Sequence, residues 1–262
     1  MKDWEKYQFT VNGFKMEVSY HKRTVQEIFL PLLRRMTHLQ KERGERLLVF
    51  MAAPPAAGKT TLCQFLEYLS REIPELTEIQ AAGLDGFHYH SDYINSHDAV
   101  VQGKTVPMKA VKGCPETYDT AKLGEKLCRI KKETILWPVY DRNIHDVVED
   151  AIKLEKEIIL LEGNWLLLDE EPWTVFRKKW ADDTIFILAE EKMLKERLIQ
   201  RKEKGGLSRE EAEKWYENSD SSNVRRVLKS SVKGNLILEV EEDNDYRLME
   251  DSSACNQEWN RV

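Results

Sequence analysis

One segment in the first quarter of the chain constrains the fold more than any other. Residues 47–51 (LLVFM) are continuously apolar, residues 52–58 are small or proline, and Gly58-Lys59-Thr60 opens an amphipathic stretch. A short apolar run bounded by turn residues is typical of a strand that is covered on both faces. Small residues next to it suit a tight connection into a helix. The order of strand, small-residue loop and helix predicts a βα unit of an α/β sheet.

The same alternation continues along the chain. Short apolar runs, each expected to be a strand, lie at 47–51, 79–85, 136–140, 158–163, 184–189 and 235–240. Segments of helical length and composition lie between some of them, at 59–73, 121–133 and 191–204. Strands separated by helices imply right-handed crossovers. The sequence therefore predicts an α/β fold, with a mostly parallel sheet of about five strands and helices on both faces.

Two regions flank this core. Residues 7–18 alternate apolar and polar side chains around Asn12-Gly13, which predicts a β-hairpin with a type I′ turn, and a helix that contains Pro31 is expected from about Thr24. Residues 241–262 hold seven acidic and two basic side chains, which predicts a solvated tail unless Tyr246, Leu248 or Trp259 docks it. The predicted organisation is an N-terminal region 1–44, a core domain 45–240 and an acidic tail 241–262.

Charge and composition exclude several classes of function. The 40 Lys and Arg against 46 Asp and Glu give a net charge of −6, so the chain has no overall basic field for a nucleic-acid backbone. No apolar run is long enough to cross a bilayer, and no secretory signal is visible at the start. The four cysteines are far apart with no CxxC pair, which suits reduced thiols. We expect a cytoplasmic protein that binds neither nucleic acid nor membrane, and a homodimer stays open.

The loop before the first of these helices has the residues that a phosphate-binding turn requires. Backbone N–H groups of small residues can point at phosphate oxygens, and the following helix N-terminus adds its positive dipole end. Lys59 would reach the β- and γ-phosphates of ATP, and the Thr60 hydroxyl would hold Mg²⁺. The candidate nucleotide-binding residues are Ala56, Ala57, Gly58, Lys59, Thr60 and Thr61. The loop departs from GxxxxGK[ST] at Ala53, which replaces the first glycine, and a chance Gly-Lys-Thr at a turn is the alternative.

Asp85 ends the second apolar run, at the edge where α/β sheets bind ligands. A carboxylate there can accept the proton of a hydroxyl or orient that hydroxyl for attack on the γ-phosphate. Taken alone, Asp85-Gly86 could equally be an ordinary turn. The catalytic interpretation therefore depends on the neighbouring phosphate loop.

Six motifs together resemble the phosphoribulokinase/uridine kinase family of P-loop kinases, which includes bacterial-type pantothenate kinases and a fructokinase-like branch. They are AAPPAAGKTTL, LDGFHY, KGCPETYD, PVYDR, LLEGNWLLL and ERLIQRKEKGG, in family order over roughly residues 45–240. The resemblance implies transfer of the γ-phosphate of Mg·ATP to an alcohol group of a small polar metabolite. A sugar, a pantothenate-like compound and a nucleoside all stay open, and LDGFHY and PVYDR favour a sugar or related polyol.

The resemblance also implies roles for particular residues. Asp85 would be the catalytic carboxylate, and Glu162, which ends the strand IILLEG, would help Thr60 to hold Mg²⁺. Arg197 and Arg201 lie four residues apart on one helix face and would form a lid over the transferring phosphate. The alternatives are a strand-end carboxylate satisfied by a backbone cap at Glu162 and a solvated basic face on the helix.

The pocket for the acceptor is predicted from residues near these motifs. Its candidate members are His88, Tyr118, Asp119, Tyr140 and Arg142. Arg142 is favoured because a guanidinium forms bidentate contacts with carboxylate or vicinal oxygens.

Two other functions compete with a small-molecule kinase. A P-loop ATPase or nucleotide switch acting on a protein partner would use the hairpin and acidic tail as interaction elements. A nucleoside monophosphate kinase would need a basic pocket for the acceptor phosphate, for which Arg142 is the one candidate. The carboxylate at Asp85 and the paired arginines favour transfer to an acceptor alcohol over the attack of water that an ATPase or switch would use, and Arg142 alone is thin support for a nucleoside monophosphate kinase.

Overall fold

The computed structural model of the chain describes residues 3–11 and 14–249. The strands are β1 (Trp4–Val11), β2 (Phe14–His21), β3 (Leu47–Ala52), β4 (Ile79–Gly83), β5 (Asp98–Val101), β6 (Lys104–Pro107), β7 (Ile135–Asp141), β8 (Asp146–Leu154), β9 (Ile158–Gly163), β10 (Asp183–Leu188), β11 (Leu236–Val240) and β12 (Tyr246–Leu248). The α-helices are α1 (Lys22–Thr24), α2 (Leu30–Arg43), α3 (Lys59–Glu72), α4 (Ser91–Ser96), α5 (Thr120–Ile130), α6 (Trp173–Trp180), α7 (Glu191–Lys204), α8 (Arg209–Trp215) and α9 (Ser221–Ser230). Two π-helical segments, Val25–Phe29 and Tyr216–Asp220, and three 3₁₀ turns, Leu84–Phe87, Met108–Val111 and Pro115–Thr117, complete the regular structure.

A six-stranded sheet in the order β12-β11-β10-β3-β9-β4 forms the centre of the molecule. The inner pairings are parallel, and only β12 runs antiparallel, along β11. Every residue of β3 and β9 is buried, which explains their continuous apolar sequence. The predicted α/β fold with about five parallel strands is confirmed.

Alternate side chains of β3 enter two separate apolar cores, one on each face of the sheet. Leu47, Val49 and Met51 pack with residues of α2, α3 and α7, while Leu48, Phe50 and Ala52 pack with residues of α5 and α6. Helices therefore cover both faces of the sheet, and its carboxyl edge is the open side where connecting loops gather.

The apolar run 136–140 does form a strand, but its predicted place in the parallel sheet is wrong. It lies in β7, which pairs antiparallel with β8 as a separate hairpin. Pro138 donates no ladder hydrogen bond, and the register shifts between Trp137 and Val139. Leu136 is exposed, so this strand lacks the cover on both faces that a central strand has.

The predicted N-terminal hairpin is confirmed as the antiparallel pair β1–β2, although its Asn12-Gly13 turn lies outside the described residues. The hairpin packs on α3 through rings, with the centroids of Tyr7 and Phe65 4.8 Å apart and those of Tyr20 and Phe65 4.7 Å apart. The predicted helix follows without a break from Lys22 to Arg43. Its π-helical segment ends just before Pro31, where the missing N–H would interrupt ordinary α-helical bonding.

The first part of the predicted acidic tail belongs to the fold. Tyr246–Leu248 form the edge strand β12, and the Tyr246 side chain is buried in the core. Residues 250–262, which include Trp259, lie outside the described part of the chain. Among the residues that the structure describes, no helix combines the length and apolar character needed to cross a membrane.

Candidate active site

The small-residue loop between β3 and α3 is shaped by two left-handed residues. Ala56 has φ 65° and Gly58 has φ 90°, and the Ala57 N–H closes the turn by donating to the Pro54 carbonyl at 3.3 Å. A side chain at Gly58 would also meet the Tyr246 hydroxyl, 3.1 Å from the Cβ position. Ala53 is fully buried with a negative φ. Its backbone conformation does not require glycine, so alanine can occupy the first glycine position of GxxxxGK[ST] in this chain.

Lys59, Thr60 and Glu162 meet where β3 and β9 end side by side. The Thr60 hydroxyl donates to Glu162 Oε1 at 2.7 Å, and Lys59 Nζ lies 3.8 Å from Glu162 Oε2. Glu162 is buried. Burial raises the pKa of its carboxyl, Asp85 adds to the increase, and Lys59 opposes it. The carboxylate thus accepts a side-chain hydroxyl, which is not the strand-end backbone cap considered as the alternative.

The Thr60–Glu162 pair fits the metal that the sequence predicts. Hydroxyl and carboxylate oxygens are the donors that Mg²⁺ takes, usually one or two from the protein with water and phosphate supplying the rest. Among residues 3–11 and 14–249, no cluster of three or more His, Cys, Asp and Glu offers a full protein cage for a metal ion.

Asp85 lies on the next strand connection, in the 3₁₀ turn that follows β4. Gly83 pairs with Glu162 in the sheet register, so both carboxylates lie at one edge. The Tyr118 hydroxyl donates to Asp85 Oδ1 at 3.1 Å. Burial by itself would raise the pKa of Asp85, but the charge of Lys59, with His88, the Tyr118 hydrogen bond and Arg142, lowers it below its ordinary value. Asp85 is therefore ionised at neutral pH.

Gly86 is required by a close approach between chain segments. A Cβ at this position would lie 2.1 Å from the Pro138 carbonyl oxygen and 2.8 Å from the Val139 nitrogen. Gly86 is not among the left-handed glycines. The glycine therefore lets β7 pass directly beside Asp85, which brings the PVYDR motif to the site.

The predicted acceptor residues divide into two groups. The His88 ring packs on the Tyr118 ring at 3.9 Å between centroids, and burial lowers the His88 pKa, so the imidazole is neutral near pH 7. Tyr140 lies 5.8 Å from His88, ring to ring. Arg142 lies in the β7–β8 turn, where its charge lowers the pKa of both Asp85 and Glu162. Asp119 instead caps α5, where its Oδ1 accepts the Lys122 N–H at 3.0 Å.

The two arginines of α7 also differ. Arg197 Nη1 donates to the Ala56 carbonyl at 3.1 Å, and Nη2 donates to Asn244 Oδ1 at 2.5 Å. Arg197 therefore lies against the loop. Arg201, one helical turn further on, is exposed, and its charge acts on Asp220. In this structure Arg197 reaches the site and Arg201 does not.

A cavity of about 330 Å³ opens beside the loop. Strand β2 forms one wall with Val18, Ser19 and Tyr20. The other lining residues come from the loop, α3, α7, the end of β11 and the start of the acidic segment: Ala56, Ala57, Gly58, Thr61, Arg197, Val240, Asn244 and Tyr246.

Sequence reasoning did not assign three residues that border the site. Asn244 contacts Arg197 and Tyr246 lies beside the loop at Gly58, and both come from the segment predicted to be a tail. In the sequence, the one indication that this segment docks near the site was a tyrosine among acidic residues. Lys112 donates to the Tyr140 hydroxyl at 3.0 Å. Its signal was its place as the first residue of the KGCPETYD motif.

Comparisons with curated proteins identify relatives, although no protein-family model matches the sequence. The chain is 41% identical over 242 residues to "Uncharacterized protein YggC" of Escherichia coli (strain K12). The aligned region covers 92% of this chain and 98% of the relative. It is 29% identical to "Putative uridine kinase C227.14" of Schizosaccharomyces pombe, over 79% of this chain and 88% of the relative. It is 28% identical to a pantothenate kinase of Pasteurella multocida, over 68% of this chain and 60% of the relative.

Solved structures share the fold. A "putative fructose transport system kinase" from Silicibacter sp. TM1040 superposes with a TM-score of 0.66 at 24% identity, covering 78% of this chain and 98% of that chain. YFH7 from Saccharomyces cerevisiae, described as "a putative P-loop containing kinase with a circular permutation", superposes with a TM-score of 0.62 at 16% identity, covering 85% and 99%. At such identities the likeness extends to the fold and no further.

Proposed function

We propose, from the premise that this chain belongs to the phosphoribulokinase/uridine kinase family of P-loop kinases, that it transfers the γ-phosphate of ATP to an alcohol group of a small polar metabolite. The relatives named "Putative uridine kinase C227.14" and "Pantothenate kinase" support the coarser statement that it is a small-molecule kinase. A sugar or related polyol is the favoured acceptor from the LDGFHY and PVYDR motifs. Pantothenate-like compounds and nucleosides are the other candidates.

One observation carries the proposal: an ionised carboxylate, Asp85, lies at the same sheet edge as Lys59, Thr60 and Glu162. Lys59 supplies positive charge for the transferring phosphate, and Asp85 accepts or orients the proton of the acceptor hydroxyl. The Tyr118 hydrogen bond holds that carboxylate in position. Phosphoryl transfer depends on positioning and charge neutralisation, and these residues supply both.

The metal and nucleotide have residues that suit them. Thr60 and Glu162 would hold Mg²⁺, which when bound neutralises charge on the phosphate oxygens. Arg197 lies against the phosphate loop and is the better lid candidate of the two arginines. The cavity between the loop, β2 and Tyr246 is the space proposed for the rest of the nucleotide.

The experiment compares nucleotide affinity with acceptor-dependent ADP release in two variants. Asp85→Asn should keep nucleotide affinity, because the ATP contacts come from the loop, and should lose about 10²–10⁴-fold in acceptor phosphorylation. Lys59→Ala should remain folded and should lose about 10²-fold or more in turnover. The substitution removes the positive charge that stabilises the negative charge on the transferring phosphate. Asp92→Asn, at an exposed acid of α4, is the matched control and should behave as wild type.

Three results would contradict the proposal. ADP release that no candidate alcohol increases would favour the ATPase or switch function. Equal loss of nucleotide affinity and turnover in Asp85→Asn would make Asp85 a support for the loop or metal. Normal turnover in a folded Lys59→Ala variant would remove the phosphate loop from the mechanism.

A further inference from the structure

Lys112 is a half-buried lysine whose described partners are all neutral. Its ammonium donates to the Tyr140 hydroxyl at 3.0 Å and to the His145 carbonyl at 3.4 Å, and it lies 5.0 Å from the centroid of the Tyr140 ring. Within the described part of the chain it forms no ion pair. Asp146, the acid on which its charge acts, forms no ion pair with Lys112, and its Oδ1 accepts the N–H groups of Ser91 and Val147 and lies 3.5 Å from His90 Nδ1. A partly desolvated ammonium without a counter-ion is incompletely compensated.

Arg142 is a second cation at the same place without a close anionic partner. It lies in the β7–β8 turn, exposed, and it makes no ion pair or hydrogen bond with the residues that the structure describes. It lies two residues after Tyr140 and in the same turn as the His145 carbonyl, and both Tyr140 and His145 accept from the Lys112 ammonium, so the backbone places Arg142 beside Lys112. Lys122 of this region differs, since it forms an ion pair with Glu149.

An aromatic wall connects Lys112 to the catalytic carboxylate candidate. Tyr140, beside Lys112, lies 5.8 Å from the His88 ring, and the His88 ring packs 3.9 Å from the Tyr118 ring. Tyr118 in turn donates to Asp85 at 3.1 Å. A molecule lying along this wall with a hydroxyl at Asp85 would place its far end near Lys112 and Arg142.

We propose that the acceptor alcohol carries an anionic group, a carboxylate or a phosphate, which Lys112 and Arg142 bind while its hydroxyl faces Asp85. The inference rests on the proposed kinase function, because Asp85 fixes which end of the acceptor reacts. A neutral polyol would leave both cations without a partner. A carboxylate or phosphate offers oxygens to the ammonium and a bidentate face to the guanidinium. The favoured acceptor thus narrows from a sugar or polyol to an acid or phosphate ester of one.

The test measures binding, so it does not depend on turnover. Wild-type protein with Mg·ADP is titrated calorimetrically with matched pairs that differ in charge: gluconate and glucose, glycerate and glycerol, pantothenate and pantothenol, fructose 6-phosphate and fructose. At least one anion should bind more tightly than its neutral partner. Lys112→Met and Arg142→Gln should each weaken that binding about 10–100-fold, the range expected for one charge-assisted hydrogen-bonding group. Lys109→Met, at an exposed lysine three residues away, is the matched control and should leave it unchanged.

The outcomes separate this inference from the function on which it rests. Titrations with the carboxylates (gluconate, glycerate and pantothenate) and with the phosphate ester (fructose 6-phosphate) identify which kind of anion is bound. Equal binding of charged and neutral partners, binding of none of the anions, or equal effects of Lys112→Met and Lys109→Met overturns the inference. Anion binding that depends on Lys112 without acceptor-dependent ADP release would instead contradict the kinase function and leave the anion site standing.

Discussion

Glu162 is the residue at which stability and the proposed chemistry conflict. Its carboxyl is buried against Thr60, with Asp85 close enough to act on its charge. Burial and this like charge outweigh the opposing charge of Lys59, which lies 3.8 Å from Glu162 Oε2, and raise the pKa of Glu162 above its ordinary value of 4.5. Holding the group ionised for a metal therefore costs the folded state free energy, which a neutral side chain would not cost.

Glu162→Gln should accordingly raise the melting temperature of the ligand-free protein at neutral pH. The pKa of Glu162 is higher in the folded state than in the unfolded state. The free-energy cost of its ionised form is therefore fully present at pH values above the folded-state pKa and absent at pH values below the unfolded-state pKa. The gain should therefore shrink as the pH falls through that window towards 4.5. Thermal unfolding as a function of pH measures it, and Mg·ADP should stabilise the variant less than the wild type.

Glu133→Gln is the control for this prediction. Glu133 is exposed, and the hydrogen bond from Arg129 lowers its pKa, so its ionised form does not cost the folded state free energy. Its replacement should give no increase in melting temperature at any pH. A Glu162→Gln variant that melts at or below the wild-type temperature at neutral pH would show that Glu162 is stabilising.

The site residues that could be predicted lie in short local motifs at strand ends. Lys59, Thr60, Asp85 and Glu162 each follow or end an apolar run, and parallel strands bring their carboxyl ends to one edge. Lys112 and Tyr246 could not be assigned in this way. Their contacts with Tyr140 and Gly58 depend on where separate segments cross in the folded chain. Gly86 likewise looked like a turn residue until the approach of β7 supplied its reason.

At the scale of elements, α9 holds the loop that carries Tyr118. Arg226 on α9 donates from Nη1 to Glu116 Oε1 at 2.8 Å and from Nε to Glu170 Oε1 at 3.1 Å. Trp165 lies 5.9 Å from the Arg226 guanidinium and donates to the Gly113 carbonyl at 3.1 Å. These contacts fix both ends of the 113–117 segment, immediately before Tyr118.

Arg226→Ala should lower stability and raise the KM for the acceptor while leaving nucleotide affinity near its wild-type value. Glu116 is half-buried and the Glu170 side chain is more exposed, so removing the guanidinium leaves mainly Glu116 uncompensated, at a cost of about 1–3 kcal/mol, less than for a fully buried pair. The loop then no longer holds Tyr118 firmly against Asp85. Urea unfolding and steady-state kinetics with the best acceptor measure the two effects.

The neighbouring Arg225 provides the comparison, because it is exposed and pairs only with Glu191 in the described structure. Arg225→Ala should cost no more than about 1 kcal/mol and leave the kinetics unchanged. If Arg226→Ala lowers stability without changing the acceptor KM, Arg226 is structural and does not position the loop.

The apolar pattern predicted the N-terminal hairpin, the strands β3, β4, β7, β9, β10 and β11 and the helices α2, α3, α5 and α7, but it did not predict β5, β6, β8, β12, α4, α6, α8 or α9. Helix α7 begins and ends at the predicted residues. The run 136–140 was wrongly assigned to the parallel sheet, because an apolar run does not show which other strand it pairs with. Its partner β8 comes from the segment directly after it in the sequence, so a short turn and antiparallel pairing were available.

At the scale of the whole molecule, the two ends of the described chain close around the phosphate loop. The buried Asp245 carboxylate accepts the His21 N–H at 3.1 Å and the Thr24 hydroxyl at 2.8 Å, so it ties the acidic segment to the hairpin. The adjacent Tyr246 packs on Phe29 with 5.8 Å between ring centroids. Composition could not predict this, because an acidic segment looks solvated unless the donors that face its carboxylates are known.

Asp245→Ala should destabilise the protein and weaken nucleotide binding together. The change leaves buried donors on His21 and Thr24 without an acceptor, at a cost of about 2–4 kcal/mol, which lowers the melting temperature by about 4–10 °C for a chain of this size. Nucleotide affinity should fall because Asn244 and Tyr246, on either side of Asp245, contact Arg197 and approach Gly58. Glu242→Ala removes an exposed carboxylate from the same acidic segment and should change neither quantity. Thermal unfolding and nucleotide titration of both variants decide the matter. If Asp245→Ala behaves like Glu242→Ala, the segment after Val240 is a tail that the kinase core does not need.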